Sequence, residues 1–206
     1  MSLSTLLCFI GASMALTLAP GPDNIFVTAQ GIARGRRAAI ITALGMCSGI
    51  SIHTVAAALG ISALFYSSLL AFNLVKYAGA LYLFYLAVKT VRHRSAIALP
   101  HGEELPSAAL FRRGFIMNVL NPKVALFFLA FLPQFITPGP HRFPLQMLLL
   151  GAIFMVQAIV IFSAIGWFSG SIGRLLLSRP GMARKFDLLT AGVFATLGLR
   201  LALIER

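Results

Sequence analysis

The sequence predicts an all-α integral membrane protein of six transmembrane helices, built as two inverted three-helix repeats with the first and fourth helices broken at proline. Three observations predict it. Of the 206 residues, 59% are hydrophobic and only 11% charged, with a mean hydropathy of +0.91. A soluble domain carries about 25% charged residues, and no soluble fold of this size has interior enough for so much apolar surface. The basic residues fall between apolar segments, as topology signals do. Finally, each half of the chain opens with an apolar segment interrupted by proline, at Pro20-Gly21-Pro22 and at Asn121-Pro122. Proline removes a backbone N–H and clashes with the preceding turn, so neither helix runs through undisturbed.

The first span is expected from about Leu3 to Ala33, with its break at 20–22. It lacks the basic start of a signal peptide and is read as retained. Arg34, Arg36 and Arg37 follow. The second span, about Ala38 to Phe65, holds one ionisable residue, His53, and a Gly45/Gly49 pair spaced for close helix packing. The third runs from about Lys76 to Val88 with an apolar lead-in from Leu69, and Lys89, Arg92 and Arg94 close it. Residues 95–111, with two prolines and Glu103-Glu104, read as an exposed cytoplasmic linker between repeat one (1–94) and repeat two (112–206) of a single transporter domain.

Arg112 and Arg113 open the fourth span, about Gly114 to Ile136, and the turn Pro138-Gly139-Pro140 follows it. The fifth, about Leu145 to Gly173, is uncharged and carries Gln157, with Trp167 as an interface anchor. The sixth, about Phe186 to Ile204, is interrupted by Arg200, which is expected to snorkel to the nearby interface. On this plan twelve basic residues lie on one side of the membrane and four on the other, with Lys123 inside a span. The bias puts both termini outside the cytoplasm. Three spans per half is an odd number, so the second half inserts upside down, as in transporters whose sites lie between inverted repeats.

At about 1.5 Å per residue, Pro22 lies roughly 18 Å in from Arg34 and Pro122 roughly 13 Å in from Arg113. The hydrocarbon core is about 30 Å thick, so both breaks, with Asp23 and Lys123, sit near its middle. Backbone groups freed by a break are tolerated at depth only where they line a cavity or are buried in protein. Helix N-termini suit a carboxylate and freed carbonyls an ammonium. Asp23 is therefore a candidate for binding a proton or an ammonium group. Lys123 is a candidate for binding a carboxylate, for pairing with Asp23 in the empty state, or for snorkelling to the interface. Asn24, Asn118 and Asn121 are candidate ligands or interhelical hydrogen-bonding groups. His53 is a candidate proton relay and Gln157 a further polar contact.

Enzyme chemistry finds no support, since H-E-x-x-H and G-x-S-x-G motifs are absent, as is a second membrane carboxylate to pair with Asp23. The net charge of +12 forms no basic, aromatic-flanked stripe and does not read as nucleic-acid binding. Cys8 and Cys47 have no spacing suited to a metal, and no cofactor is expected.

The motifs together resemble the lysine exporter family, including its homoserine/threonine exporter branch. The matching residues are Pro20-Gly21-Pro22-Asp23, Arg34-Gly35-Arg36-Arg37, Gly45, Gly49, His53 and Gly60. In later spans they are Gly79 with Tyr82-Leu83, Gly114-Phe115, Asn118, Asn121-Pro122-Lys123, Phe131-Leu132-Pro133-Gln134-Phe135, Gly192 and Gly198-Leu199. The resemblance implies a bacterial inner-membrane exporter of amino acids driven by the proton gradient, with Asp23 and the Asn121-Pro122 break as site residues. Its partners are then an amino-acid substrate, protons and the lipid bilayer, and a homo-oligomer is left open. The rivals are a metal-ion or other small-solute transporter of the same superfamily, and a non-transporting membrane scaffold. Thiol and carboxylate ligands for a metal are mostly missing.

Overall fold

Pro22 and Pro122 each start a helix in this fold, and the chain is arranged so that those two starts meet. The computed structural model of the protein describes residues 1–19, 21–61, 69–92, 105–136, 143–171 and 180–203. All described elements are helical. Helix α1 (Leu3–Leu18) begins at Ser2, whose hydroxyl accepts the Thr5 N–H at 3.1 Å. It stops ahead of Gly21, and α2 (Pro22–Ala56) starts with Pro22 in its first turn, where the missing N–H costs nothing. At 16 residues α1 is short for a crossing, which takes about 20. The sequence reading joins it to residues 22–33 as one broken span; the structure has a short apolar helix here, with the chain stopping and restarting at Gly21.

Helix α2 is two arms, 22–34 and 36–56, joined at Gly35 with φ 83° and ψ 172°. Only glycine takes that backbone without steric cost. The sequence reading expects a loop among the arginines here. The chain instead turns on this one residue, and Arg36 and Arg37 are already helical. The second arm passes into a π-turn at Ala57–Ile61. Helix α3 (Leu69–Arg92) takes in the apolar lead-in of the expected third span and Lys89 and Arg92 of its basic close, Arg94 lying outside the described residues.

Helix α4 (Ser107–Val119) starts at Ser107, not Gly114, so residues 107–111 of the expected linker are helix. Ala108 and Ala109 favour helix, and Leu110 is buried, which draws this turn inward. After the break, α5 (Pro122–Leu126) continues through a π-turn, Phe127–Phe131, and a 3₁₀ turn, Leu132–Phe135. Helix α6 (Phe143–Trp167) is the uncharged fifth segment. Helix α7 (Pro180–Ala202) begins ahead of the expected Phe186 and includes Arg184 and Lys185 in its first turns. Residues 95–104 of the linker and the Pro138-Gly139-Pro140 turn lie outside the described residues.

By length and apolarity, Pro22–Leu59 and Phe143–Trp167 can each cross a membrane. The pair Ser107–Val119 and Pro122–Phe135, bent by 47°, is a third if taken as one span. The second arm of α2 is the centre of the packing. It runs parallel to α4, with Gly45 against Phe111 and Gly49 against Asn118, and antiparallel to α6, with Gly151 against Thr54 and Gly166 against Ala39. Helices α3 and α7 pair with each other, Gly198 lying against Ala80 and Leu83.

An aromatic core ties α1 to the second half. Phe9 contacts Phe127 and Phe135 at 6.3 and 5.3 Å between centroids, and Phe154 contacts Phe127 and Phe128 at 5.2 Å. Arg200 lies over the faces of Phe135 and Phe131, at 5.5 and 5.9 Å, so its charge rests on aromatic rings of the 3₁₀ and π turns as well as reaching outward.

Close glycine packing makes a stability prediction. A Cβ at Gly114 would overlap the Thr42 carbonyl and lie 3.0 Å from the Met46 nitrogen. Both are backbone atoms of a helix and cannot yield. Gly114→Ala is expected to cost about 2 kcal/mol, lowering the thermal midpoint in detergent by about 6 °C. Gly170→Ala, where nothing lies within 4 Å, should leave it unchanged.

Candidate functional site

The two helix starts share one plan. Gly21 and Asn121 are the N-caps, Pro22 and Pro122 the first helical residues, and Asp23 and Lys123 the second. Opposite charges thus occupy equivalent positions. Asp23 is favoured where it stands, at the positive end of α2. Lys123 is not, since it puts a cation at the start of α5. Two features offset that. Its Nζ lies 2.8 Å from Asp23 Oδ2 and 3.0 Å from Oδ1. It also donates to the carbonyls of Leu16 at 3.3 Å and Ala19 at 3.4 Å, at the negative end of α1. The two side chains are only 4% and 3% exposed. Lys123 therefore pairs with Asp23 and does not snorkel.

The break leaves the last carbonyls of α1 without helical partners, and each one finds another. Ala15 accepts from the Ala19 N–H, Leu16 and Ala19 from Lys123, and Thr17 and Leu18 from Asn24 Nδ2 at 3.1 and 3.3 Å. Across the site, Gln157 of α6 donates to the Thr17 hydroxyl at 2.9 Å. At the second break Asn121 Oδ1 accepts the Lys123 N–H at 3.0 Å, capping α5. The Asn118 carbonyl at the end of α4 accepts from His53 Nε2 at 3.0 Å and from the Asn121 N–H at 2.9 Å. A carbonyl only accepts, so His53 carries its proton on Nε2 here.

All the sequence-derived site residues that are described therefore fall around the two breaks. Asp23, Lys123, Asn24 and Gln157 gather on the end of α1. Asn118, Asn121 and His53 gather on the end of α4. Pro20 lies outside the described residues. Within this group Asn24 Oδ1, Asn118 Oδ1, Gln157 Oε1 and Asn121 Nδ2 are buried with no hydrogen-bond partner. Buried polar atoms are nearly always paired, so a concentration of unpaired ones marks a place prepared for something else.

Sequence reasoning missed Thr17, whose hydroxyl and carbonyl serve Gln157 and Asn24, because a threonine in an apolar helix carries no signal. It also missed the backbone of Leu16 and Ala19. Asp187, which lies inside the expected sixth span, was overlooked: it is a second carboxylate buried in a helix, in α7, where the sequence reading expects none besides Asp23.

An all-helical chain with apolar spans and an ion pair buried between two helix breaks is built as a membrane translocator. The chain belongs to the LysE type translocator family, whose model matches residues 14–204. That family is one of transporters, not enzymes. The chain is 32% identical over 204 residues to an uncharacterized membrane protein of Vibrio cholerae, covering 98% of both chains. It is 36% identical over 154 residues to a homoserine/homoserine lactone efflux protein of Salmonella typhimurium, 74% of each. It is 30% identical over 210 residues to a leucine efflux protein of Klebsiella pneumoniae, covering 97% of this chain and 95% of that one. No solved structure matches it.

Proposed function

We propose that the protein is a secondary exporter of amino acids or small amino-acid derivatives in a bacterial-type inner membrane, coupled to proton entry. The observation that carries this reading is the Asp23–Lys123 pair at two equivalent helix starts, ringed by unpaired amide atoms. Asp23 with the Leu16 and Ala19 carbonyls forms a three-point acceptor set, held in this state by the Lys123 ammonium. A primary ammonium has three N–H donors and fits the same set. The substrate's ammonium takes the place of Lys123, and the released lysine and the helix N-termini receive the carboxylate or carbonyl end. Asn24, Asn118, Asn121 and Gln157 offer the remaining hydrogen bonds, and His53 sits at the α4 end as a proton relay.

Six spans in two inverted repeats suit this reading. The antiparallel pairing of α2 with α6 and of α3 with α7 supports it, as do the matched Pro22 and Pro122 starts. The efflux relatives supply the substrate class. The basic bias puts both termini outside the cytoplasm. Return of a proton on Asp23 resets the site. Each charge crossing 100 mV releases about 2.3 kcal/mol, enough for modest uphill export.

The test is efflux of labelled leucine and homoserine from loaded vesicles under an imposed pH gradient. Asp23→Asn is expected to abolish gradient-driven efflux while the protein still inserts and folds. Full gradient coupling in Asp23→Asn would remove the proton role from this residue.

A further inference from the structure

The corner at Gly35 builds a second site, away from the ion pair. A cleft of about 480 Å³ opens between the end of the first arm of α2, the start of its second arm and the start of α4. Arg34 and Arg37 line it together with Ser107 and the segment Leu105-Pro106, while Ala33, Ala38, Ile41 and Leu110 form an apolar wall. No acidic residue lines it among the described residues. Arg34 gives one guanidinium nitrogen, Nη1, to Gln30 Oε1 at 2.8 Å, but its Nε is buried with no partner. At the cleft's other edge α4 begins at Pro106 without a side-chain cap. Its first N–H groups and the positive end of its dipole are left facing the same region.

Two guanidiniums, a buried unpaired N–H and an uncapped helix start all call for an anion with several acceptor oxygens. The apolar wall asks for more than a free ion. The cleft's level in the bilayer is marked by Arg36, one residue past the corner, whose guanidinium stacks 5.0 Å from the centroid of half-exposed Trp167. Tryptophan is enriched at the membrane–water interface and arginine in the loops that flank spans, which points to the headgroup level for this corner. Basic pockets between helices at that level bind anionic lipid headgroups. We propose that this cleft holds the phosphate of an anionic membrane phospholipid, with the glycerol and first methylenes against Ala33, Ala38, Ile41 and Leu110. Bound there, the lipid bridges the Gly35 corner to the start of α4. It thereby joins the first repeat to the helix that carries Asn118 and leads into the break at Asn121.

The experiment is native mass spectrometry of the full-length protein in mild detergent, exposed to equal amounts of phosphatidylglycerol and phosphatidylcholine. Wild type is expected to retain phosphatidylglycerol preferentially. The preference should fall about fivefold in R37Q and about 25-fold in R34Q/R37Q. R112Q/R113Q, which removes as much charge from the middle of α4 outside the cleft, should leave it within about twofold. Equal loss in R112Q/R113Q would reduce the effect to general surface charge and overturn the site. Competition by glycerol 3-phosphate or inorganic phosphate as effective as that of the lipid would make it a soluble-anion site and overturn the lipid assignment. If R34Q/R37Q does not fold, R37Q decides alone, since Arg37 is exposed, and an unchanged preference there overturns the proposal.

Discussion

Lys123→Ala is expected to abolish export and to destabilise the protein. Removing the ammonium leaves the Asp23 carboxylate buried with no cation, and leaves the Leu16 and Ala19 carbonyls without their donor. Breaking one side of a buried ion pair costs about 3–5 kcal/mol. For a chain of this size that lowers the thermal midpoint by about 10 °C. The transport loss has a separate origin. Without Lys123 the substrate's carboxyl end loses a charge-assisted hydrogen bond worth about 1.5–3 kcal/mol, a 10- to 150-fold weaker grip.

The double variant Asp23→Asn/Lys123→Met separates the two effects. Both charges are gone, so no uncompensated ion remains, and stability should return close to that of wild type. Export should not return, because neither end of a zwitterion has a charged partner. If the pair were only a clamp between helices, the double variant would recover export along with stability. Efflux and thermal unfolding measured on the same three proteins tell these cases apart.

How much of this was legible in the residues depends on which interactions are written in side chains. The proline breaks were, because proline acts through its own ring, and so was the similar depth of Asp23 and Lys123. That the two charges touch follows from the way α1 and α5 meet, which no local pattern states. The Gly35 corner was hidden by its neighbours. Arginines on both sides suggested a loop, yet the second arm resumes at once. The starts of α4 and α7 were hidden for a similar reason. Pro106 and the Pro180-Gly181 pair look like turn residues, and both stand at helix starts, where proline is tolerated. The acceptors that matter most around Lys123, the Leu16 and Ala19 carbonyls, belong to the backbone and have no signature in side-chain chemistry.

Gly21→Ala is expected to damage export far more than stability. Gly21 sits at φ −160° and ψ −177°, an extended backbone open to any residue, so alanine brings no conformational strain. Alanine is the poorer N-cap, by about 0.5–1 kcal/mol. What it changes is the space around the ion pair. Its Cβ would stand 2.7 Å from Asp23 Oδ1 and 3.1 Å from Lys123 Nζ. Both atoms end side chains that can shift by a few tenths of an ångström, so the fold absorbs the methyl. The acceptor set does not, because the carboxylate must turn away from the point where Asp23, Leu16 and Ala19 converge. An incoming ammonium then makes two good hydrogen bonds instead of three. Losing one charge-assisted bond predicts a rise of about tenfold or more in the substrate concentration needed for half-maximal efflux. Gly11→Ala, in α1 with nothing within 4 Å, should leave transport unchanged. The glycine of Pro20-Gly21-Pro22 thus matters for the volume it leaves free beside Asp23, and unchanged efflux kinetics in Gly21→Ala would move the substrate away from this ion pair altogether.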